Sequence, residues 1–211
     1  MSEAKAGAPS CAAWGVVPAA GRSRRMGRDK ATLPFAGDTV VEALLEALAR
    51  GGVAEVCVVV APGSPVVGLL AGRDGVRLVE NERPERGMLS SVLVGLRALG
   101  GAGRLGDERR PLVVCPVDHP AIRPATVPRL LAAIERGAGL AVPVHEGSRG
   151  HPIAIAPRLV DAIESLDLEV GLRQLLEREA GSLVEVPVDD PGTVLDLDTP
   201  EDYERLLARL G

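Results

Sequence analysis

Short apolar runs alternate with longer amphipathic stretches along this chain. Residues 14–17, 55–60, 76–79, 112–115, 140–144, 152–156 and 183–188 are Val-, Leu- and Ile-rich runs of strand length. The run at 55–60, Glu-Val-Cys-Val-Val-Val, has the near-continuous apolarity of a parallel strand buried on both faces. Between the runs lie stretches of helical period. Val40, Val41, Leu44, Leu45 and Leu48 share one face of a helix expected over 40–50, with Thr39 as its cap and Gly51-Gly52 as its stop. Further helices are expected over 65–71, 89–99, 124–136, 157–165 and 169–179. A last one opens at Pro200 behind the N-cap Thr199. Strands alternating with helices predict an α/β fold with a mostly parallel central sheet. The strands near 152 and 183 are expected to include an antiparallel addition.

In such sheets ligands bind beyond the carboxyl ends of the strands. The polar stretches 20–30, 81–91 and 118–120 each follow a strand and are the places to look for chemistry. In the first, the small residues Ala19, Ala20 and Gly21 let a ligand approach the backbone closely. Exposed amides in such a turn form an anion-binding nest. Arg22, Arg24, Arg25, Arg28 and Lys30 follow at once and would neutralise a polyphosphate.

Composition narrows the classes. The 211 residues carry a net charge of −5, so this basic cluster stands against an acidic background and the whole chain has no general attraction for nucleic acid or acidic membranes. One Trp, one Tyr and one Phe are too few for the stacking platforms of a single-strand nucleic-acid binder. Cys11, Cys57 and Cys115 are too scattered for a disulfide framework or a metal knuckle, and the latter two sit in Val-rich strands as small core hydrophobes. No apolar run reaches membrane-spanning length. Residues 1–13 are expected to form a disordered tail without signal-peptide character, residues 14–211 a single domain, and the compartment is expected to be the cytoplasm.

Several further residues have the chemistry of a site. Asp118 directly follows a strand and lies between Pro116 and Pro120, so its carboxylate is held in a stiff turn. Asp196 and Asp198 flank Leu197 and, in an extended segment, share a face. One Asp from each segment is a way to hold Mg²⁺ against phosphate oxygens; the competing readings are a turn residue for Asp118 and helix capping for Asp198. Asn81, Ser90 and Ser91 precede or open a helix, where hydroxyls and amides suit base, ribose or phosphate, or form a plain N-cap. His151 lies between Gly150 and Pro152 in a loop and either meets a substrate or packs. His119 reads more readily as a surface residue than as part of a metal site. The three His are too dispersed for zinc.

The stretch Ala19-Ala-Gly-Arg-Ser-Arg-Arg-Met-Gly-Arg-Asp-Lys30 resembles the signature loop of the nucleotidyltransferases. Asn81 with Gly87–Ser91, Asp118 before Pro120, Gly150-His151-Pro152, and Asp196-Leu-Asp-Thr-Pro-Glu-Asp-Tyr203 narrow the resemblance to the MobA-like group, the molybdenum cofactor nucleotidyltransferases. The likeness spans about residues 14 to 208 in the same order. It implies a three-layer, Rossmann-like nucleotidyltransferase fold. It implies an enzyme that transfers a nucleoside monophosphate to the phosphate of molybdopterin and releases pyrophosphate. Ala-Ala-Gly resembles the cytidylyl branch, where guanylyl enzymes tend to carry Ala-Gly-Gly, so CTP is the expected donor, with GTP as the alternative. Pro18 and His119 depart from the group's usual residues. The resemblance assigns catalysis to Arg25, Lys30 and Asp118, and nucleotide binding to Ala19, Ala20, Gly21, Arg22, Arg25, Lys30, Asn81 and Ser91. It assigns the acceptor side to Ser90 and His151, and Mg²⁺ to Asp118 and Asp198. A molybdoenzyme of the xanthine dehydrogenase type is the implied recipient of the product. Alternatives are a cytidylyltransferase for another phosphorylated acceptor, such as a sugar or polyol phosphate, and a non-catalytic cofactor carrier.

Overall fold

The computed structural model describes residues 12–21, 29–100 and 110–209. The tail expected at 1–13 lies outside them except for its last two residues, as do Arg22, Arg24, Arg25 and Arg28 of the basic loop. In chain order the strands are β1 Ala13–Ala19, β2 Pro34–Phe35, β3 Asp38–Thr39, β4 Val53–Val60, β5 Val76–Glu80, β6 Leu112–Val114, β7 Leu140–His145, β8 Ser148–Arg149, β9 Ile153–Ile155 and β10 Leu183–Pro187. The α-helices are α1 Val40–Arg50, α2 Val66–Leu70, α3 Met88–Ala98, α4 Thr126–Glu135, α5 Val160–Ile163, α6 Arg173–Arg178 and α7 Pro200–Leu207.

The main sheet runs β10-β7-β9-β6-β1-β4-β5, with β8 paired to β7. β1 is parallel to both β4 and β6, and β10 is parallel to β7. β9 runs antiparallel to both β6 and β7 and is the antiparallel strand expected near 152. Period-2 alternation sends side chains to two cores. Val17, Val58 and Val113 join α1, α2, α4 and α7 on one face. Trp14, Val16, Cys57, Val59 and Val114 join α3, α5 and α6 on the other. The result is the three-layer α/β arrangement. Cys57 and Cys115 are buried and free, and burial pushes the Cys57 thiol up to about 12, so neither is poised as a nucleophile.

Several boundaries differ from the sequence reading. The helix expected over 157–165 is a 3-10 turn, Pro157–Leu159, followed by one α turn. The helix expected over 169–179 begins only at Arg173, because Gly171 takes φ +73° and cannot continue a right-handed helix. The turn at 146–150 is a hairpin: Glu146 and Gly147 both have positive φ, which matches the twist of β7 and β8.

Candidate active site

The sheet's strand order reverses at β1, which has β4 and β5 on one side and β6 on the other. A crevice opens beyond the carboxyl ends at such a point. Here it is a cleft of about 300 Å³, lined by Pro18, Ala20, Gly21, Lys30, Met88, Ser91 and Asp118 among others. Ala20 is buried, whereas Gly21 is exposed.

Backbone pairing carries Asp118 into this cleft. The ladder between β1 and β6 continues past β6, with Cys115 N–H donating to Val16 O (3.1 Å) and Val117 N–H to Pro18 O (3.2 Å). Asp118 therefore stands beside the end of β1. The chain then turns back, His119 N–H donating to Pro116 O at 3.3 Å. From the other end of the sequence, Leu197 N–H donates to Asp118 O at 2.8 Å and brings Asp198 alongside. Leu197 is fully buried and anchors that segment, while Asp196 is exposed.

Lys30 closes the group. Its Nζ donates to Asp118 Oδ2 (2.9 Å), Asp198 Oδ1 (3.2 Å) and Leu197 O (3.2 Å). Lys30 opens a 3-10 turn capped by Asp29, whose Oδ1 accepts from Ala31 N–H (3.0 Å) and whose Oδ2 accepts from Ser64 Oγ–H (3.1 Å). Asp29 and Ser64 thus fix Lys30 to the loop after β4. The helix cap beside Asp198 is made by Thr199 and Asp202 in a capping box. Asp198 is left to face Lys30.

Burial pushes the Asp118 carboxyl up, but the Lys30 ammonium and its hydrogen bond outweigh it, so the group sits below the usual carboxylate range. Asp118 Oδ1 is buried and has no hydrogen-bond partner among the described residues. A buried carboxylate oxygen normally has a partner, so this atom keeps an acceptor position that the described residues leave unused. Hard carboxylate oxygens from Asp118 and Asp198 suit Mg²⁺ or Mn²⁺. Among the described residues no third His, Cys, Asp or Glu gathers with them into a metal cage.

The second-half residues form a connected frame behind Asp118. The His119 and His151 rings lie 4.7 Å apart at 46°, and His119 Nε2 is 3.7 Å from Asp118 Oδ1. His119 is buried, contrary to the surface position expected for it. Burial lowers the pKa of both imidazoles, against the pull of Asp118, and takes His151 down to about 4. His151 N–H donates to Thr193 O at 2.8 Å. Asp190, also buried, accepts from Arg123 N–H (2.8 Å), Thr126 Oγ–H (2.6 Å) and Gly192 N–H (3.1 Å). It ties the segment after Asp118 to the segment before Asp198. No local sequence signal marked Asp190, because the partners of its carboxylate other than Gly192 are more than sixty residues away.

Of the other residues singled out by sequence, Asn81 acts as a clamp. Its Nδ2 donates to Ser90 Oγ (2.9 Å) and Ser91 Oγ (3.0 Å), and its Oδ1 accepts from Arg83 N–H. Ser91 lines the cleft with Lys30 and Asp118. Ser90 lines a different pocket on the other side of the same helical turn. Arg22 and Arg25 lie outside the described residues.

Comparison with known proteins agrees with this geometry. The model of the MobA-like NTP transferase domain matches residues 15–184. A protein of Mycobacterium bovis named probable molybdenum cofactor guanylyltransferase is 36% identical over 174 residues, covering 81% of this chain and 78% of that one. The molybdenum cofactor guanylyltransferase of Rhodobacter capsulatus is 33% identical over 207 residues (93% and 95%). Nicotine blue oxidoreductase of Paenarthrobacter nicotinovorans is 32% identical over 202 residues (92% and 95%). Among solved structures, a nucleotidyl transferase from Methanothermobacter superposes with a TM-score of 0.76 at 26% identity, covering 95% of this chain and 98% of that one. Rv0371c of Mycobacterium tuberculosis, solved in complex with manganese, gives 0.71 at 26% (93% and 98%). With a cleft at the reversal point of the sheet, a lysine held between two carboxylates at its edge, and a family match across most of its length, the chain belongs to the MobA-like NTP transferases, a nucleotidyltransferase family.

Proposed function

We propose that this protein transfers a nucleoside monophosphate from CTP to the terminal phosphate of molybdopterin, with or without its metal, and releases pyrophosphate. The observation that carries the reading is that Lys30 and Asp118 line one cleft with Ala20 and Gly21, and that Lys30 also bonds Asp198 at the cleft's edge. A phosphate oxygen of the acceptor attacks the α-phosphorus in line. The new P–O bond forms as the bond to the β-phosphate oxygen breaks, and both electrons of that bond leave with pyrophosphate. Catalysis of this kind is positioning and charge neutralisation.

In this reading Lys30, with Arg22 and Arg25, neutralises the triphosphate and the departing pyrophosphate. Asp118 and Asp198 hold Mg²⁺, which when bound supplies Lewis-acid charge to the phosphate oxygens. Ala19, Ala20, Gly21, Asn81 and Ser91 frame base and ribose, Asn81 through the hydroxyl it orients. His151 belongs to the acceptor side, whereas Ser90, expected there from the sequence, faces the pocket on the other side of α3. The cytidylylated cofactor would pass to a molybdoenzyme of the xanthine dehydrogenase type, and the reaction takes place in the cytoplasm, where nucleoside triphosphates are made.

CTP is favoured by Ala20, whose buried methyl narrows the space under the base at the cleft wall. GTP is the second reading, favoured by the two relatives named guanylyltransferase. The mass of the product formed from molybdopterin in an equimolar mixture of CTP and GTP separates the two. A cytidine adduct in excess supports the Ala20 argument, and a guanosine adduct in excess overturns it. Redox conversion of nicotine blue with no adduct would instead align the chain with its relative named nicotine blue oxidoreductase.

A further inference from the structure

A second pocket, of about 450 Å³, lies against the opposite side of the segment that walls the cleft. The two share no lining residue. Pro84, Gly87, Met88 and Ser91 face the cleft, whereas Arg83, Arg86, Ser90, Val94 and Arg97 face the second pocket. Spacings of three and four place these sets on separate faces of α3 and the turn before it. The volume is in the range of small-molecule sites.

The chemistry of the lining is specific. Leu93, Val94 and Leu168 are half-buried and supply an apolar floor. Arg83, Arg86 and Arg97 supply three guanidinium groups, and Glu80 and Glu82 are the acidic residues on the same rim. The guanidinium groups form no ion pair or hydrogen bond with those carboxylates or with any other described residue. Other surface arginines vary: Arg77 pairs with Glu55, Arg149 with Glu185 and Arg173 with Glu177, whereas Arg50, Arg129, Arg136 and Arg178 form no ion pair with a described residue. What sets Arg83, Arg86 and Arg97 apart is that all three line one pocket. In an acidic protein, three unneutralised arginines at one pocket are a place where an anion gains charge-assisted hydrogen bonds without first displacing a carboxylate. Three arginines against two glutamates leave the rim net positive, which suits one phosphate group better than a polyphosphate.

We propose that this pocket is a binding site, distinct from the nucleotide cleft, for a small phosphomonoester with an apolar or aromatic body. The phosphate meets the guanidinium groups and the body lies on Leu93, Val94 and Leu168. Phenyl phosphate is the probe, with inorganic phosphate as the comparison. Calorimetric titration is made into Lys30→Ala, which lacks one cation of the cleft, and into the same chain carrying Arg86→Ala and Arg97→Ala as well. The first is expected to bind phenyl phosphate saturably and roughly tenfold more tightly than inorganic phosphate; the second is expected to lose about tenfold or more in affinity, for loss of charge-assisted bonds. Equal affinity of the two chains, no saturable binding by the first, or equal affinity for the two anions each overturns the proposal. Arg86→Ala with Arg97→Ala in the otherwise unaltered chain supplies the independent check. It should melt at the wild-type temperature and keep wild-type nucleotide turnover; a fall in turnover at an unchanged melting temperature would mean that the pocket is not distinct from the reacting site.

Discussion

Lys30 is held to two carboxylates and a backbone carbonyl at the edge of the cleft. Its ammonium keeps the Asp118 carboxyl below its usual range despite burial. The neighbouring imidazoles obey the opposite balance, since burial without a sufficient anion favours their neutral form. His151 drops from 6.5 to about 4. A group whose pKa is lower in the folded chain binds protons more readily when unfolded, so stability is lost as the solution is acidified between those two values. The loss attributable to His151 is on the order of 3 kcal/mol across the full window, fully present as stability above pH 6.5. Urea unfolding midpoints measured between pH 7 and pH 4 should therefore fall steeply for wild type and less steeply for His151→Gln. Parallel slopes for the two proteins would remove His151 from this account.

At the scale of elements, α3 is pressed against the sheet by a glycine. A Cβ at Gly95 would lie 2.7 Å from Val16 Cγ1 and 3.0 Å from Val59 Cγ2. Both neighbours are β-branched and stiff. Gly95→Ala is expected to destabilise by about 1–3 kcal/mol through overpacking. Gly68→Ala in α2, where a Cβ meets nothing within 4 Å, should be neutral or stabilising by up to ~1 kcal/mol. Thermal melts of the two variants give opposite signs if the close approach is real; a Gly95→Ala protein as stable as wild type would show that α3 has slack.

Elements of this kind were legible wherever the signal was local. Thr39 and Thr199 cap α1 and α7 as expected, and the structure adds the reciprocal bonds from Glu42 and Asp202 that make each a capping box. The apolar runs became strands within two residues of their expected ends. The hairpin of β2 and β3 was not legible, because two-residue strands carry no period to read. Asp118 and Asp198 were legible as site candidates from the strand before one and the helix after the other. That both meet Lys30, 88 and 168 residues away, depends on the strand order and on the Leu197–Asp118 backbone bond. The same dependence on distant partners hid Asp29, Ser64 and Asp190.

At the scale of the molecule, the sheet supplies a rigid platform with its reversal point at β1, and the loops after β1, β5 and β6 meet there. The segment before α7 returns to the same edge and supplies Asp198. Asp190, the capping box of Thr199 and the Asn81 clamp hold these loops from behind, so the reacting groups are fixed by groups that need not touch substrate. No helix among the described residues is long and apolar enough to cross a membrane. The central claim is that the cleft containing Asp118 performs nucleotidyl transfer. Its most direct test is pyrophosphate release from CTP and from GTP, with and without molybdopterin, by wild type and by Asp118→Asn. The account predicts release from one nucleotide only when the acceptor is present, and a loss of about 100-fold or more in the variant, in the range found when a charge-stabilising group is removed. Release that ignores the acceptor, or an Asp118→Asn protein that turns over at the wild-type rate, would contradict it.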